Sequence, residues 1–133
     1  MRNPFQPGDL QTFERRVREQ DLARFEAEGL VHPVYSSFAL ARDAEWTCRQ
    51  FVLAMKEGGE EGVGSALSLR HVSPAPLGAL VRIVARLEAV EGRAVHCSYR
   101  AYVGERLIAE GDQEQHILDA ERFRRQLAAL QGE

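Results

Sequence analysis

Four strand-like segments separated by turn signals occupy the second half of this chain. The run "ALVRIVARLEAV" at residues 79–90 alternates apolar and polar side chains, and "EGR" joins it to a second alternating run at 94–103. "GER" leads to a third run at 107–118, and "GVGSALSLRHV" at 62–72 precedes all three. Alternation with period two between short turns predicts antiparallel strands in a meander. Such a sheet has one apolar face that another element must cover.

A long helical segment at residues 37–56 is the candidate to cover that face. On a helical wheel centred on Glu45, an apolar stripe lies close to this residue, whereas Asp43 and Arg49 lie on a polar flank. The stripe consists of Phe38, Leu40, Ala41, Ala44, Cys48, Phe51, Val52 and Met55. Gly58 and Gly59 end the helix. An antiparallel sheet wrapped around one long central helix is an α+β arrangement, and this is the hotdog architecture.

The remaining segments complete one predicted domain over residues 1–133. "LQTFERRV" at 10–17 alternates loosely and indicates a first strand, and "REQDLARFEAEGL" at 18–30 suits a short helix that ends at Gly29. Residues 1–8 resemble a tail or turn, and residues 119–131 form a C-terminal helix capped by Asp119. The predicted order is a strand, two helices, a four-stranded meander and a final helix.

Composition excludes several classes of function. The net charge of −3 argues weakly against general binding to nucleic acid or anionic membranes. Cys48 and Cys97 have no CxxC or metal-ligand spacing and suit buried positions in a reducing compartment. The longest apolar run, Phe51–Met55, is too short to cross a bilayer, and no signal peptide is evident, so we expect a cytoplasmic protein. Phosphate loops, GxSxG elbows and HExxH motifs are absent.

Ser37 is the first candidate for chemistry, because it stands where the long helix begins. It can cap the helix together with Ser36. Alternatively, its hydroxyl can orient a substrate or water beside the helix N-terminus, where free N–H groups suit an oxyanion or a thioester carbonyl.

Glu45 and His71 each allow a structural and a catalytic interpretation. Glu45 can pair with Arg49 in the next turn, or it can act as a general base or nucleophile. His71 can be a core histidine with one hydrogen bond, or it can meet Glu45 across the helix–sheet interface and help to activate water. Gly64 marks either a strand bulge or a close approach by a ligand, and with Phe38 it is our candidate for substrate binding.

The segments "SSFALARDAEW", "EGVGSALSLRH" and "SPAPLGALVRIVARLEAVEGR" resemble the hotdog thioesterases, most closely the fluoroacetyl-CoA thioesterase-like family. The likeness covers about residues 31–123. Its marks are a Ser/Thr eight residues before Glu-Trp, a Gly seven residues before His, a Pro-rich loop after that His, and "VEGR" at the next turn.

This resemblance implies roles for the matching residues. Ser37 corresponds to the family's Ser/Thr position, Glu45 to its catalytic carboxylate and His71 to its catalytic histidine, and Gly64 to the glycine beside the acyl group. The acyl-CoA thioester is then expected between two subunits. Because the fluoroacetate-detoxifying member has Thr where this chain has Ser37, and its aromatic lid has no match in residues 25–35, a broader acyl-CoA substrate is expected.

The predicted function is therefore hydrolysis of an acyl-CoA thioester to a carboxylate and free CoA, with catalytic Ser37, Glu45 and His71. A non-catalytic module that binds acyl-CoA or another small ligand is the alternative, and a hydratase ranks last because no Asp/His pair lies in one short segment. No metal or redox cofactor is expected. Arg70, Arg93 and Arg106 are candidates for CoA phosphate contacts. We expect a homodimer joined at sheet edges, and the sequence leaves open whether such dimers pair into a tetramer.

Overall fold

A six-stranded antiparallel sheet packs against one long helix in the computed structural model, which describes residues 1–133. The elements are β1 Leu10–Arg16, β2 Leu22–Phe25, β3 Gly29–Tyr35, α1 Ser37–Met55, β4 Glu60–Leu67, β5 Arg70–His71, β6 Leu80–Glu91, β7 Ala94–Val103, β8 Arg106–Asp119 and α2 Ala120–Leu130. Helix α1 packs against five of its six strands, β1, β4, β6, β7 and β8. The predicted α+β hotdog architecture is confirmed.

The strand order differs from a simple meander. The sheet runs β1-β6-β7-β8-β4, and β5 pairs with another part of β8. Strands β6, β7 and β8 follow one another as predicted, but β4 pairs with β8 and does not neighbour β6, so the four-stranded meander is wrong in its first strand. The "SPAPLG" loop explains this difference, because Pro74 and Pro76 prevent a tight hairpin and let the chain cross to the far side of the sheet.

The inner faces of β6 and β7 form the sheet side of the core. Their buried residues are Val81, Ile83, Ala85 and Leu87 on β6, and Val95, Cys97, Tyr99 and Ala101 on β7. These are the faces that the period-two pattern predicts. Helix α1 supplies the opposite side with Leu40, Ala44, Cys48, Phe51, Val52 and Met55. Burial of each large apolar side chain stabilises the fold by roughly 1.5–3 kcal/mol, so this layer holds helix and sheet together.

Residues 18–30 form a hairpin, and the prediction of a short helix there is wrong. Only Glu19–Asp21 make a single 3-10 turn, after which β2 pairs with β3. Gly29 has a φ of +76°, a left-handed conformation that suits the turn between the two strands. A helix of this length has little stability of its own, and pairing with residues 29–35 satisfies the backbone instead.

The buried face of α1 is rotated relative to the predicted wheel. Asp43 is only 2% exposed, whereas Glu45 is exposed and Phe38 is 50% exposed. The prediction that Asp43 lies on a polar flank is therefore wrong. Its burial is possible because Arg15 on β1 and Tyr35 on β3 bind its carboxylate.

Strand β4 meets the helix through glycines. A Cβ added to Gly62 would lie 2.3 Å from Val52 Cγ1, and one added to Gly64 would lie 2.3 Å from Glu45 Oε1. The alternation predicts that the side chain of Val63 faces the helix, and this prediction is wrong. The glycines on either side of Val63 face the helix instead. The helix packs against β4 too closely for a side chain, and a bulge between Gly64 and Ala66 shifts the register beyond this point.

The two ends of the chain differ in their packing. Residues before β1 lack regular structure, but the ring of Phe5 packs edge-on against that of Phe51 at 5.0 Å. Helix α2 begins after Asp119, whose carboxylate accepts a 2.7 Å hydrogen bond from Arg122 N, and it has no buried residue. Neither α1 nor α2 combines the length and apolar character that a membrane-spanning helix requires.

Candidate active site

The first turn of α1 separates the roles of its two serines. Ser36 is the N-cap, because its Oγ accepts a 3.1 Å hydrogen bond from Ala39 N. Ser37 leaves its hydroxyl free for another partner and lies 3.1 Å from His71 Nδ1. The backbone N–H groups of Ser37 and Phe38 have no hydrogen-bond acceptor within the chain. The capping role thus belongs to Ser36, and Ser37 faces the sheet.

His71 sits on the two-residue strand β5, opposite Ala109 of β8. The ring is half-buried, and its Nε2 is buried without a hydrogen-bond partner. Burial lowers the pKa of His71 from its ordinary 6.5, while the backbone of Ser73 acts in the opposite direction. A neutral imidazole at pH 7 is therefore favoured, and it can exchange a proton with a hydroxyl at Nδ1.

Glu45 lies eight residues after Ser37 on the same helix, roughly 12 Å further along its axis. Its carboxylate accepts one hydrogen bond, 3.2 Å from Gln113 Nε2 to Oε1. The ion pair with Arg49, one of the two interpretations of Glu45 from sequence, is absent, because the Arg49 guanidinium donates to the Gly62 carbonyl at 2.8 Å. Glu45 does not hydrogen-bond to His71 either, since His71 turns to Ser37. The carboxylate is left without a neutralising cation.

Gly64 provides the space in which the Glu45 carboxylate lies. Glu45 Oε1 occupies the place where a Cβ at position 64 would point, at a distance of 2.3 Å. Gly64 also precedes the β4 bulge and is exposed. The bulge suggested by the sequence follows Gly64. The group that approaches this glycine is a side chain of the protein itself, and the approach of a ligand stays a prediction.

Phe38 carries apolar surface next to the first turn of α1. Its ring is 50% exposed and packs edge-on against Phe25 at 5.7 Å. Phe25 lies on the β2–β3 hairpin and is itself 49% exposed. The sequence interpretation missed this partner because it placed Phe25 inside a helix. Two exposed aromatic rings thus lie beside the first turn of α1.

Gln113 and Gln115 on β8 are further residues that the sequence interpretation missed. They are 3% and 1% exposed and lie on the same strand face as the buried Ile117. The signal was available, since period-two spacing back from Ile117 places both glutamines on the core face of β8. Buried amides there require partners, and Glu45 is one of them.

The three arginines suggested for phosphate contacts differ in their engagement. Arg93 pairs with Glu60 at 2.7 Å, and Arg106 donates to Ser73 Oγ and to the Pro74 carbonyl. Arg70 has no such partner. It borders a cavity of about 790 Å³ that lies on the outer face of the sheet. This cavity contains none of Ser37, Glu45 and His71, and its size reflects a curved, charged strand surface.

The three proposed catalytic residues form two neighbouring groups instead of one hydrogen-bonded set. Ser37 and His71 are paired at the start of α1, and Glu45 lies against Gly64 further along the helix. No cluster of three or more His, Cys, Asp or Glu side chains in the structure has an arrangement suited to a metal ion. The arrangement offers a free hydroxyl, a neutral imidazole, two unpaired backbone N–H groups and an uncompensated carboxylate. These are the elements of acyl-transfer chemistry.

Comparison with known proteins identifies one family. The model of the family described as FlK, fluoroacetyl-CoA-specific thioesterase, matches residues 17–121. The fluoroacetyl-CoA thioesterase of Streptantibioticus cattleyicolor is 32% identical over 79 residues, which cover 59% of this chain and 57% of that protein. The match therefore spans somewhat more than half the length of this curated relative.

Solved structures share the fold over nearly the whole chain. A hypothetical protein of Thermus thermophilus, a thioesterase superfamily member, has a TM-score of 0.90 at 37% identity and covers 98% of both chains. A Thr-to-Ser variant of FlK in complex with acetyl-CoA has a TM-score of 0.85 at 25% identity, over 94% of this chain and 98% of that one.

Proposed function

This chain belongs to the fluoroacetyl-CoA-specific thioesterase family, and from that membership we propose that it hydrolyses an acyl-CoA thioester. Water adds to the acyl carbon, the carbon–sulfur bond breaks, and the products are a carboxylate, free CoA thiol and one proton. The observation that carries this proposal is the exposed, uncompensated carboxylate of Glu45 on the same helix that presents Ser37 to His71.

In this proposal Glu45 and His71 activate the nucleophile. The Glu45 carboxylate either takes the proton of the attacking water or attacks the acyl carbon itself, and both routes need an ionised carboxylate without a bound cation. His71 is favoured in its neutral form by burial, so Nδ1 can accept a proton from the nucleophile or return one to the departing thiolate. Ser37 positions the reacting oxygen through its hydroxyl.

The start of α1 is our candidate for stabilising the oxyanion. The N–H groups of Ser37 and Phe38 have no acceptor within the chain, and the positive end of the helix dipole lies there. A thioester oxygen that becomes negative in the transition state would accept from these donors. Removal of one such donor typically costs on the order of 100- to 1000-fold in rate.

The acyl-CoA site is expected to be completed by a second copy of the chain. Ser37, Glu45 and Gly64 are exposed in one protomer, and β1 and β4 leave the two edges of the sheet open. Edge pairing in a homodimer would protect backbone groups and cover the reacting centre. Among the three arginines, Arg70 is the one free to contact a CoA phosphate.

A thiol-release assay over a panel of acyl-CoAs tests the function. The panel includes fluoroacetyl, acetyl and longer acyl groups, and we expect turnover of at least one of them. An exposed carboxylate remote from the site gives the matched control, so Glu121→Gln should keep activity while Glu45→Gln loses it. Tight acyl-CoA binding without thiol release from any substrate would instead support a non-catalytic binding module.

A further inference from the structure

Two buried glutamines on an otherwise apolar strand face require an explanation. Gln113 and Gln115 are almost completely buried, and β8 continues from them into Ile117, which is fully buried. A buried amide that lacks a hydrogen-bond partner costs about 1–3 kcal/mol. Apolar residues would satisfy this face at lower cost, so the amides are expected to serve a purpose other than stability.

The two side chains form a hydrogen-bonded chain that ends at Glu45. Gln115 Nε2 donates to Gln113 Oε1 at 2.9 Å. Gln113 Nε2 donates to Glu45 Oε1 at 3.2 Å and to the Glu114 carbonyl at 3.1 Å. A primary amide has two N–H donors, so both donors of Gln113 are in use.

Gln115 supports one orientation of the Gln113 amide. Because Gln113 Oε1 accepts from Gln115, its Nε2 must turn toward Glu45. A reversed amide would place oxygen against the Glu45 carboxylate and nitrogen against the Gln115 nitrogen, and both contacts are repulsive. Gln115 Oε1 is itself buried without a partner, so the orientation of the Gln113 amide depends jointly on Gln115, the Glu114 carbonyl and the Glu45 carboxylate.

This arrangement restrains one carboxylate oxygen and leaves the other available. Glu45 Oε1 is held by Gln113 and lies over Gly64, whereas Oε2 has no hydrogen bond in the structure. The amide is neutral, so it orients the carboxylate without forming an ion pair. Asp43, two residues earlier, is bound by two arginines and shows what a cationic anchor would do.

We propose that Gln113, supported by Gln115, positions the Glu45 carboxylate so that Oε2 faces the reacting centre, a role that rests on the hydrolysis proposed above. Gln113 is a positioning residue, since it acts through Glu45 and not on the substrate. Gln115 acts one step further away.

A double-mutant cycle on acyl-CoA hydrolysis tests this role. We expect Gln113→Met to lower kcat by about 100-fold, as a misplacement of about 1 Å does, with KM changed by less than about twofold. In the Glu45→Gln background the same substitution should change kcat by less than about twofold. Gln115→Met should lower kcat by a smaller factor, because the freed Gln113 amide still donates part of the time.

Two comparisons separate positioning from a structural role. Thr47→Val removes another buried polar group of α1, one that binds only the Asp43 carbonyl, and should leave kcat unchanged. Gln113→Met/Gln115→Met leaves no glutamine donor unpaired and should retain the melting temperature while kcat stays low. Equal losses from Gln113→Met in the wild-type and Glu45→Gln backgrounds would overturn the proposal, as would an unchanged kcat.

Side-chain amide resonances in a ¹⁵N NMR spectrum distinguish this failure from failure of the proposed function. The Gln113 amide signals should move in Glu45→Gln and broaden in Gln115→Met, whether or not any acyl-CoA is turned over. Signals that do not respond to either substitution would show that Gln113 does not hold Glu45. If the signals respond but the protein releases no thiol, Gln113 contacts Glu45 as described, and the contact has no catalytic purpose.

Discussion

Asp43 and Glu45 are two carboxylates on the same helix, two residues apart, and their surroundings are opposite. Asp43 is 2% exposed and accepts hydrogen bonds from Arg15, Arg42 and Tyr35. Glu45 is exposed and accepts one hydrogen bond from a neutral amide. Positions two apart on a helix point about 200° away from each other, so the two side chains lie on opposite flanks of the face that α1 buries.

The hydrogen bonds and the pKa of Asp43 show that its role is structural. Burial alone would raise its pKa, but the hydrogen bonds from Arg15, Arg42 and Tyr35 outweigh burial and lower the pKa from 3.8. Burial beside this anion in turn raises the pKa of the Tyr35 hydroxyl. A carboxylate with this many donors has no capacity left for a substrate. Its contrast with Glu45 indicates that incomplete coordination, and not charge alone, marks the group available for chemistry.

Glu45→Gln is expected to give the largest effect on catalysis. The amide cannot act as a base, so kcat for acyl-CoA hydrolysis should fall by about 100- to 10,000-fold, the usual contribution of acid–base catalysis. The melting temperature should change little because the side chain is exposed and makes one hydrogen bond. A thiol-release assay checks the fall in kcat, and thermal unfolding checks the melting temperature. Retained activity would remove Glu45 from the mechanism.

Asp43→Ala is expected to give the largest effect on stability. Loss of one partner leaves Arg15 and Arg42 without their shared carboxylate, and breaking a buried pair costs about 3–5 kcal/mol. We expect about 3 kcal/mol, because Arg42 is 49% exposed and water can solvate it. Urea unfolding measures this change, with the exposed Asp112→Ala as control within about 0.5 kcal/mol. A kcat per folded molecule that falls as far as in Glu45→Gln would erase the distinction between the two carboxylates.

Gly64→Ala tests whether the position of the Glu45 carboxylate matters as much as its charge. The new methyl group would meet Glu45 Oε1 at 2.3 Å, and the flexible carboxylate would move away. We expect kcat to fall by about 100-fold, in line with a misplacement of about 1 Å, with a small loss of stability. Steady-state kinetics and thermal unfolding of the same preparation measure the two effects. Activity equal to wild type would show that the glycine has no catalytic importance.

The smallest expected effect is on the acid side of the stability curve. The pKa values of Asp21 and Asp43 are both lowered from 3.8 in the folded protein. Below pH 3.8 the unfolded chain therefore binds more protons, so their stabilisation is complete above that pH and is lost as the pH falls further. Each unit of lowering corresponds to about 1.4 kcal/mol. Asp43→Asn should lose stability less steeply than wild type between pH 4 and 2 in urea titrations, and parallel curves would contradict this.

The sequence predicts the parts of this fold in which neighbours along the chain are neighbours in space. Strands β6 and β7 follow each other through a two-residue turn, so their alternating pattern identifies the core face correctly. Strand β4 pairs with residues about fifty positions later, and its bulge after Gly64 changes which side chains face inward. Nothing in a local pattern reveals such a shift.

The same limit applies to the candidate site. The helical wheel misjudged Asp43 because its partners Arg15 and Tyr35 come from β1 and β3, outside the helix. The resemblance to a family selected Ser37, Glu45 and His71, and the structure places Ser37 beside His71 but Glu45 beside Gln113. Two adjacent serines both suit a cap, and only the three-dimensional arrangement shows which hydroxyl remains free.

The contact between Gly62 and α1 affects the position of Glu45, although the two residues do not touch. Val52 packs directly on Gly62, and Glu45 lies seven residues earlier, roughly 10 Å along the helix axis. Because no side chain separates Val52 from the backbone of β4, the helix lies close to this strand. This close packing determines how far the Glu45 carboxylate lies from β4. Any side chain at position 62 would push this part of α1 away from β4 and displace Glu45 without touching it. The distance between the reacting carboxylate and the strand therefore depends on a residue that has no side chain.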